Sequence, residues 1–381
     1  MKKPTIYLDH AATTPVSSEV LSVMLPYFSD KFYNPSASYL ESKHIKNDLE
    51  EARAKVAGLL GVNASAINFV AGGSEANNLA IHGIMKQYPK ANAITSNLEH
   101  DSVFIPLTTY SHKIAQLNPD GIINLDSITK LIDDQTVLIT LMLANNEVGT
   151  IQPIKELYLV VEKIRKQRKL ENNQLPLYIF ADGCQAGNFM DLHINNLKVD
   201  LLSLNGSKIY GPKQSGILYV RPGIKVNPLI QGGGQEHNLR SGTENVAFAV
   251  AFAKALEMAQ QSRKNEFDRL KKIQLQFIKK LKMNLPSVKV NGSINNRLPN
   301  NIHLTFPSID NERLLFKLDD AGVMASAGSA CSASSNKPSR VLAAMSLNDD
   351  LIRSSIRLTM GRSTQLEEMD EVVGILQKLL K

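Results

Sequence analysis

The chain has 381 residues, 43% hydrophobic and 21% charged, with 43 basic against 36 acidic side chains and a formal net charge of +7. This balance excludes disordered, collagen-like and disulfide-scaffold classes, and at roughly 100–200 residues per domain the length predicts two domains. The two cysteines, Cys184 and Cys331, can build neither a disulfide framework nor a four-cysteine zinc site, and no metal centre is expected. The longest apolar run, residues 246–253, falls far short of the ~20 residues of a membrane span. No apolar segment follows Met1-Lys2-Lys3-Pro4, so no secretory signal is expected there. A cytoplasmic, reducing setting and no membrane partner are the resulting expectations.

In chain order, apolar runs predict strands at 67–70, 93–96, 137–143, 177–181, 201–204 and 217–220. Between them lie predicted helices at 44–60, 75–87 and 154–169, the first closed by Gly61 as a C′ glycine. Strands alternating with helices imply a mainly parallel α/β sheet. Residues 244–284 are helical almost throughout. Their densest basic stretch, 263–282, alternates with Leu270, Ile273, Phe277 and Leu281 at helical spacing. That reads as the solvated face of a helix, and no nucleic-acid partner is expected. Beyond residue 288 the order is strand 301–306, helix 312–321, strand, loop, helix, strand 355–359 and a last helix from Thr364, a smaller α+β unit.

Four places carry candidate chemistry. Lys208, in Ser203-Leu204-Asn205-Gly206-Ser207-Lys208, follows an apolar strand and precedes a Gly-Pro turn. Strand ends in such sheets are where ligands bind, and a desolvated lysine there is nucleophilic. A surface loop lysine is the plainer alternative. A P-loop is excluded, because Pro212 stands directly before Lys213 where that motif needs glycine. Asp182 ends another apolar strand, as a helix cap or as the partner of a protonated pyridine nitrogen in pyridoxal phosphate. Gly72-Gly73-Ser74 turns from strand to helix, where free N–H groups and the helix dipole suit an anion. Cys331 sits in Gly328-Ser329-Ala330-Cys331-Ser332-Ala333, among small residues that suit an exposed, nucleophilic thiol. Cys184 reads as a packing residue.

With these residues in view the chain resembles the cysteine desulfurases of the NifS/IscS type, class-V aminotransferase-like enzymes of pyridoxal-phosphate fold type I. The resemblance spans nearly the whole chain. It is carried by Tyr7-Leu8-Asp9-His10-Ala11-Ala12-Thr13-Thr14-Pro15, Asn145-Asn146-Glu147-Val148-Gly149, Lys208 with Gly211-Pro212-Lys213, Gly232-Gly233-Gly234-Gln235-Glu236 with Arg240-Ser241-Gly242-Thr243, and Gly328-Ser329-Ala330-Cys331. It implies an α/β fold with a mainly parallel seven-stranded sheet in a large domain, 14–256, and a small α+β domain from 1–13 and 257–381. It makes Lys208 the Schiff-base lysine and places Asp182 at the pyridine nitrogen and His100 on the ring face. Asn146 and Gln185 then lie near the phenolic oxygen and substrate. Gly73, Ser74 and Ser207 hold the phosphate, with Asn205 beside them. Thr243 reaches the phosphate of a second subunit, implying a homodimer, and Arg357 grips the substrate carboxylate.

The implied reaction converts L-cysteine to L-alanine and leaves a persulfide on Cys331. A sulfur-acceptor protein, an iron–sulfur scaffold or a tRNA-thiolation protein, would follow. The alternatives are a selenocysteine lyase or another aminotransferase-like enzyme, or a cofactor-free sulfur carrier. The chain departs from the pattern at Asn205 and Ser207, where serine and histidine are usual, and at Tyr39, where histidine is common. Gly183 and Cys184 are also atypical, and the C-terminus is shorter than in members whose tail docks a scaffold.

Overall fold

The computed structural model describes residues 5–328 and 338–380. Its strands are β1 (Ile6–Tyr7), β2 (Ile67–Val70), β3 (Asn92–Ser96), β4 (His112–Ala115), β5 (Thr136–Thr140), β6 (Tyr178–Asp182), β7 (Leu201–Asn205), β8 (Gly216–Val220), β9 (Lys289–Val290), β10 (Asn301–Thr305), β11 (Val323–Met324) and β12 (Ser355–Thr359). Seven of them form one sheet in the order β2-β8-β7-β6-β5-β3-β4. The β7–β6, β6–β5, β5–β3 and β3–β4 pairs are parallel; β8 runs against both its neighbours. Helices cover both faces, so β3, β5 and β8 are buried along their whole length and carry apolar runs at 93–94, 137–139 and 217–220. The edge strand β4 is half-buried and carries His112 and Lys113, so it gives no apolar run and escapes a reading by hydropathy.

Two local signals hold. Gly61 closes the helix Leu40–Leu60 in the left-handed region, φ 67°, where a Cβ is disfavoured. Gly72, φ 111°, makes the sharp turn from β2 into the helix Gly73–Met85. The segment 141–143, predicted as strand, lies past the end of β5 but stays buried against β6, the Leu141 N–H donating to the Phe180 carbonyl at 3.0 Å and the Leu143 N–H to the Asp182 carbonyl at 2.8 Å.

The helix Val246–Asn284 runs for 39 residues and joins two cores. Phe252, Ala255, Leu256 and Ala259 pack with the large sheet. Leu270, Phe277 and Leu281 pack with Ile302, Leu304, Ile356 and Leu358 of β10 and β12. Each fully buried phenylalanine or leucine contributes about 1.5–3 kcal/mol. In the predicted basic stretch Lys264, Lys272, Lys279, Lys280 and Lys282 are exposed, whereas Arg269 turns back to donate to the Thr364 and Gly361 carbonyls at 2.7 and 2.9 Å. The second core is closed by the antiparallel sheet β12-β10-β9, the parallel pair β1–β11 and the helix Leu366–Leu379.

Candidate active site

The carboxyl ends of β3, β5, β6 and β7, with the start of the helix Gly73–Met85, surround a cavity of 210 Å³. Gly73, Ser74, His100, Asn146, Asp182, Gln185, Asn205 and Lys208 line it, and Ala11, Ala12 and Arg357 close it from the other core. Ligands of open α/β sheets bind in this position. Eight residues predicted far apart in sequence as site residues therefore share one cavity with Arg357.

Asp182 ends β6 and is 6% exposed. Its Oδ1 accepts the Cys184 N–H at 2.9 Å and its Oδ2 accepts Asn77 Nδ2–H at 2.9 Å. Lys208 lies just past β7, and its ammonium donates to the Ala12 carbonyl. Arg357, on β12, is 1% exposed. Its Nη2 donates to Asp9 Oδ1 at 2.7 Å and its Nη1 to the Asn146 carbonyl at 3.0 Å, while Nε has no partner among the described residues. Gln185 Nε2 donates to the Ala11 carbonyl at 3.1 Å. His100 caps the helix Asp101–Leu107, its Nδ1 accepting the Ser102 N–H at 3.1 Å.

Two predicted residues do not line this cavity. The Ser207 hydroxyl turns away to donate to Asn205 Oδ1 at 3.1 Å, so Asn205 faces the anion end in its place. Thr243 is exposed, and its neighbours Gly242 and Glu244 line a separate cavity of 170 Å³. Cys331 lies outside the described residues. The chain on either side of it returns to one carboxylate: a Cβ at Gly328 would stand 3.3 Å from Glu147 Oε2, and Ser339 Oγ donates to that oxygen at 2.6 Å. Glu147 adjoins Asn146, and burial raises its pKa above the usual carboxylate value.

Sequence reasoning missed Asn77, Ser102 and Asp9. Asn77 follows Ser74 by three positions, the spacing that returns a helix to the same face, and this was the signal available. Glu99, directly before His100, was also missed. It is 1% exposed, accepts the Met142 N–H at 2.9 Å, and burial pushes its pKa up to about 8.

The donor set fits a ligand with three distinct ends. Free N–H groups at Gly73 and Ser74 suit a phosphate. The buried Asp182 carboxylate, with one donor on each oxygen, retains lone pairs for a protonated ring nitrogen. Lys208 supplies an amine for an aldehyde. Pyridoxal phosphate has all three groups. The class-V aminotransferase model matches residues 6–372. The chain belongs to that family.

Relatives within it are more specific. Cysteine desulfurase IscS of Dictyoglomus turgidum is 39% identical, the match covering 100% of this chain and 95% of the relative. That of Methanosarcina thermophila is 38% identical over 99% and 92%. Among solved structures, a NifS-like protein superposes with a TM-score of 0.90 at 29% identity, covering 99% of both chains. SspA, solved in complex with cysteine, superposes at 0.78 with 33% identity over 93% of this chain and 99% of its own.

In this class-V chain the atypical Cys184 also lines the cavity. A Cβ on Gly73 would stand 2.6 Å from its Sγ, so the thiol packs directly on the turn that offers the N–H groups. Burial first, and then the Asp182 carboxylate, raise its pKa well above the ordinary thiol value. A neutral, hindered thiol is a poor nucleophile.

Proposed function

We propose that this chain is a pyridoxal-phosphate-dependent cysteine desulfurase that converts L-cysteine to L-alanine and takes the sulfur onto Cys331. The observation that carries this reading is the meeting of Lys208, Asp182, Gly73, Ser74 and Arg357 around one cavity. The likeness to the IscS relatives and to SspA in complex with cysteine supports the substrate.

Gly73 and Ser74 hold the phosphate through their N–H groups, with Asn205 beside them. Ser207 supports Asn205 from behind. Asp182 would face the ring nitrogen, His100 would cover the ring, and Gln185 and Asn146 would flank its phenolic side. When bound, pyridoxal phosphate supplies an electron sink for the negative charge that develops at the substrate Cα. Arg357 orients the substrate by its carboxylate, for which the guanidinium fork is suited. Lys208 would remove the Cα proton of the bound substrate as a general base. The Cys331 thiolate then attacks the substrate sulfur: an S–S bond forms and the C–S bond breaks. The electron pair stays on the carbon side, where a proton completes alanine. One cysteine and one enzyme thiol thus yield one alanine and one persulfide.

The rest of the reading concerns the setting. A homodimer with Thr243 reaching across is supported by exposed Phe28, Phe32 and Tyr39, at 61%, 65% and 52%, and by the contact of Phe28 with Phe248 on the rim of the cavity beside Thr243. A division into a large domain of 14–256 and a small domain of 1–13 and 257–381 is supported by the two cores that the long helix joins. The persulfide passes to an acceptor protein for iron–sulfur assembly or tRNA thiolation. A cytoplasmic, reducing compartment suits both that product and the free Cys184.

The test is incubation of the holoenzyme with L-cysteine, measuring alanine and protein-bound persulfide together. The wild type forms both. Lys208→Ala forms neither; Cys331→Ala still binds the cofactor and still changes its absorbance with cysteine, but forms no persulfide. Desulfuration by Cys331→Ala together with its loss in Cys184→Ala would reverse the assignment of the nucleophile.

A further inference from the structure

Resting on the function proposed above, we infer that Asn77 and Ser102 are positioning residues that tie Asp182 to His100 through one hydrogen-bonded chain and fix the proton of the neutral His100 ring on Nε2. Neither residue follows from the roles already assigned. Asn77 is fully buried on the helix Gly73–Met85. Its Nδ2 lies 2.9 Å from Asp182 Oδ2 and 2.9 Å from Ser102 Oγ. Ser102 Oγ lies in turn 2.8 Å from His100 Nδ1.

The direction of every bond in this chain is set by chemistry. The side-chain amide of Asn77 has two protons on nitrogen and none on oxygen. Turned the other way, it would present its oxygen to a carboxylate, acceptor against acceptor. Its nitrogen therefore faces Asp182 and spends its second proton on Ser102 Oγ. The cost is visible: Asn77 Oδ1 is buried with no partner among the described residues. Since Ser102 Oγ accepts from Asn77, its own proton is available to His100 Nδ1. The Ser102 backbone N–H, a donor only, also reaches Nδ1, at 3.1 Å. An imidazole nitrogen that accepts twice carries no proton, so a neutral ring is protonated at Nε2.

The chain thus couples two groups that touch opposite parts of the same ligand. Asp182 would stand at the ring nitrogen and His100 on the ring face. Asn77 orients the carboxylate with one proton and, through Ser102, the imidazole with the other. Two bonds at Nδ1 also set the plane of the imidazole, which a single bond leaves free to rotate. Loss of Asn77 releases the Ser102 hydroxyl to turn, and the effect reaches His100 without any contact between Asn77 and the ring.

The experiment reads the imidazole itself. The protein has eight histidines, and in protein labelled with 15N-histidine the His100 signals are those absent from His100→Gln. In the wild-type holoenzyme Nδ1 gives an unprotonated and Nε2 a protonated signal. Ser102→Ala shifts the Nδ1 signal, and Ser102→Thr, which keeps the hydroxyl, restores it. Asn77→Ala shifts the same signal, but adds no shift where Ser102 is already alanine. Both alanine variants weaken pyridoxal-phosphate binding, Asn77→Ala by roughly tenfold or more as a charge-assisted bond is lost. An unmoved Nδ1 signal in Ser102→Ala, or an equal Asn77→Ala shift with and without Ser102, overturns the inference. Ser102→Ala keeps this decisive if Asn77→Ala does not fold. A wild type that neither binds pyridoxal phosphate nor makes alanine from cysteine sinks the functional reading instead, and the nitrogen signals of the unloaded protein still decide the chain of bonds.

Discussion

Arg53 and Arg357 are equally hidden, 2% and 1% exposed, but their surroundings differ in kind. Around Arg53, Glu236 meets Nη1 and Nη2 at 2.7 and 2.9 Å, the Ile67 carbonyl takes a further bond at 2.9 Å, and Glu50 meets Nε at 3.2 Å. Glu236 also accepts the Phe69 N–H at 2.7 Å. Every nitrogen of that guanidinium is engaged. The pair even holds Glu236, His237 and Asn238 at positive φ, 46°, 56° and 65°, a backbone shape that costs on the order of 1–3 kcal/mol per residue. Arg357 instead has one carboxylate oxygen, one carbonyl and an idle Nε, and it borders the cavity. A buried cation with saturated partners is a brace; one that keeps an unpartnered donor and borders a cavity is held ready for an anion.

Exchanging the two tests this contrast and gives the largest effects. Arg53→Met leaves the Glu236 carboxylate buried and unpaired, and lowers unfolding free energy by roughly 3–5 kcal/mol. Its KM for cysteine, measured on folded protein, stays near the wild-type value. Arg357→Gln raises that KM by about 10- to 100-fold, the worth of a charge-assisted bond, with a smaller loss in Tm. The contrast fails if Arg53→Met moves KM while Arg357→Gln moves only Tm.

Much of this arrangement was legible because the informative residues sit where an apolar run stops. Asp182 and Lys208 each end or follow a buried strand, and Gly72 marks a turn only glycine takes easily. The β12 strand, Ser355–Thr359, was predicted with its observed bounds. What escaped is tertiary. Asp9 meets Arg357 across 348 positions, and Asn77 meets Asp182 across 105. No periodicity records such contacts. Ser207 and Asn205 are both polar and two apart; only the folded chain shows that one hydroxyl is used up on its neighbour.

The contrast between saturated and idle groups extends to carboxyls. Glu236 takes three donors, whereas Glu99 accepts one N–H on Oε1 and leaves Oε2 unpartnered among the described residues. Burial holds the Glu99 pKa at about 8, above the usual carboxylate value of about 4.5. Between those values the folded chain binds the proton that the unfolded chain releases, so stability falls as pH rises, by up to about 1.4 kcal/mol per pH unit, and levels off above pH ~8. Glu99→Gln removes that part of the slope. Denaturant titrations from pH 5 to 8 should show the variant gaining on the wild type as pH increases. Parallel curves would mean that Glu99 is ionised in the folded chain and that its environment has been misread.

The smallest effect belongs to Cys184, the second thiol of a chain that uses one for chemistry. Its Sγ packs against Gly73, with Asp182 close enough to oppose a thiolate. Truncation to alanine removes one half-buried sulfur and costs on the order of 1 kcal/mol. Cys184→Ala should therefore keep most of the alanine yield and lower Tm by a few degrees. A chemical probe isolates the thiol more directly. In Cys331→Ala it is the one cysteine left, since the chain has two. At pH 8 the holoenzyme of that variant should react with a disulfide reagent far more slowly than free cysteine, because a raised pKa leaves little thiolate and the turn at Gly73 blocks approach. Unfolding should release one full equivalent. Labelling of the native variant at the rate of free cysteine would show an accessible thiolate inside the cavity, and Cys184 would then compete with Cys331 for the sulfur.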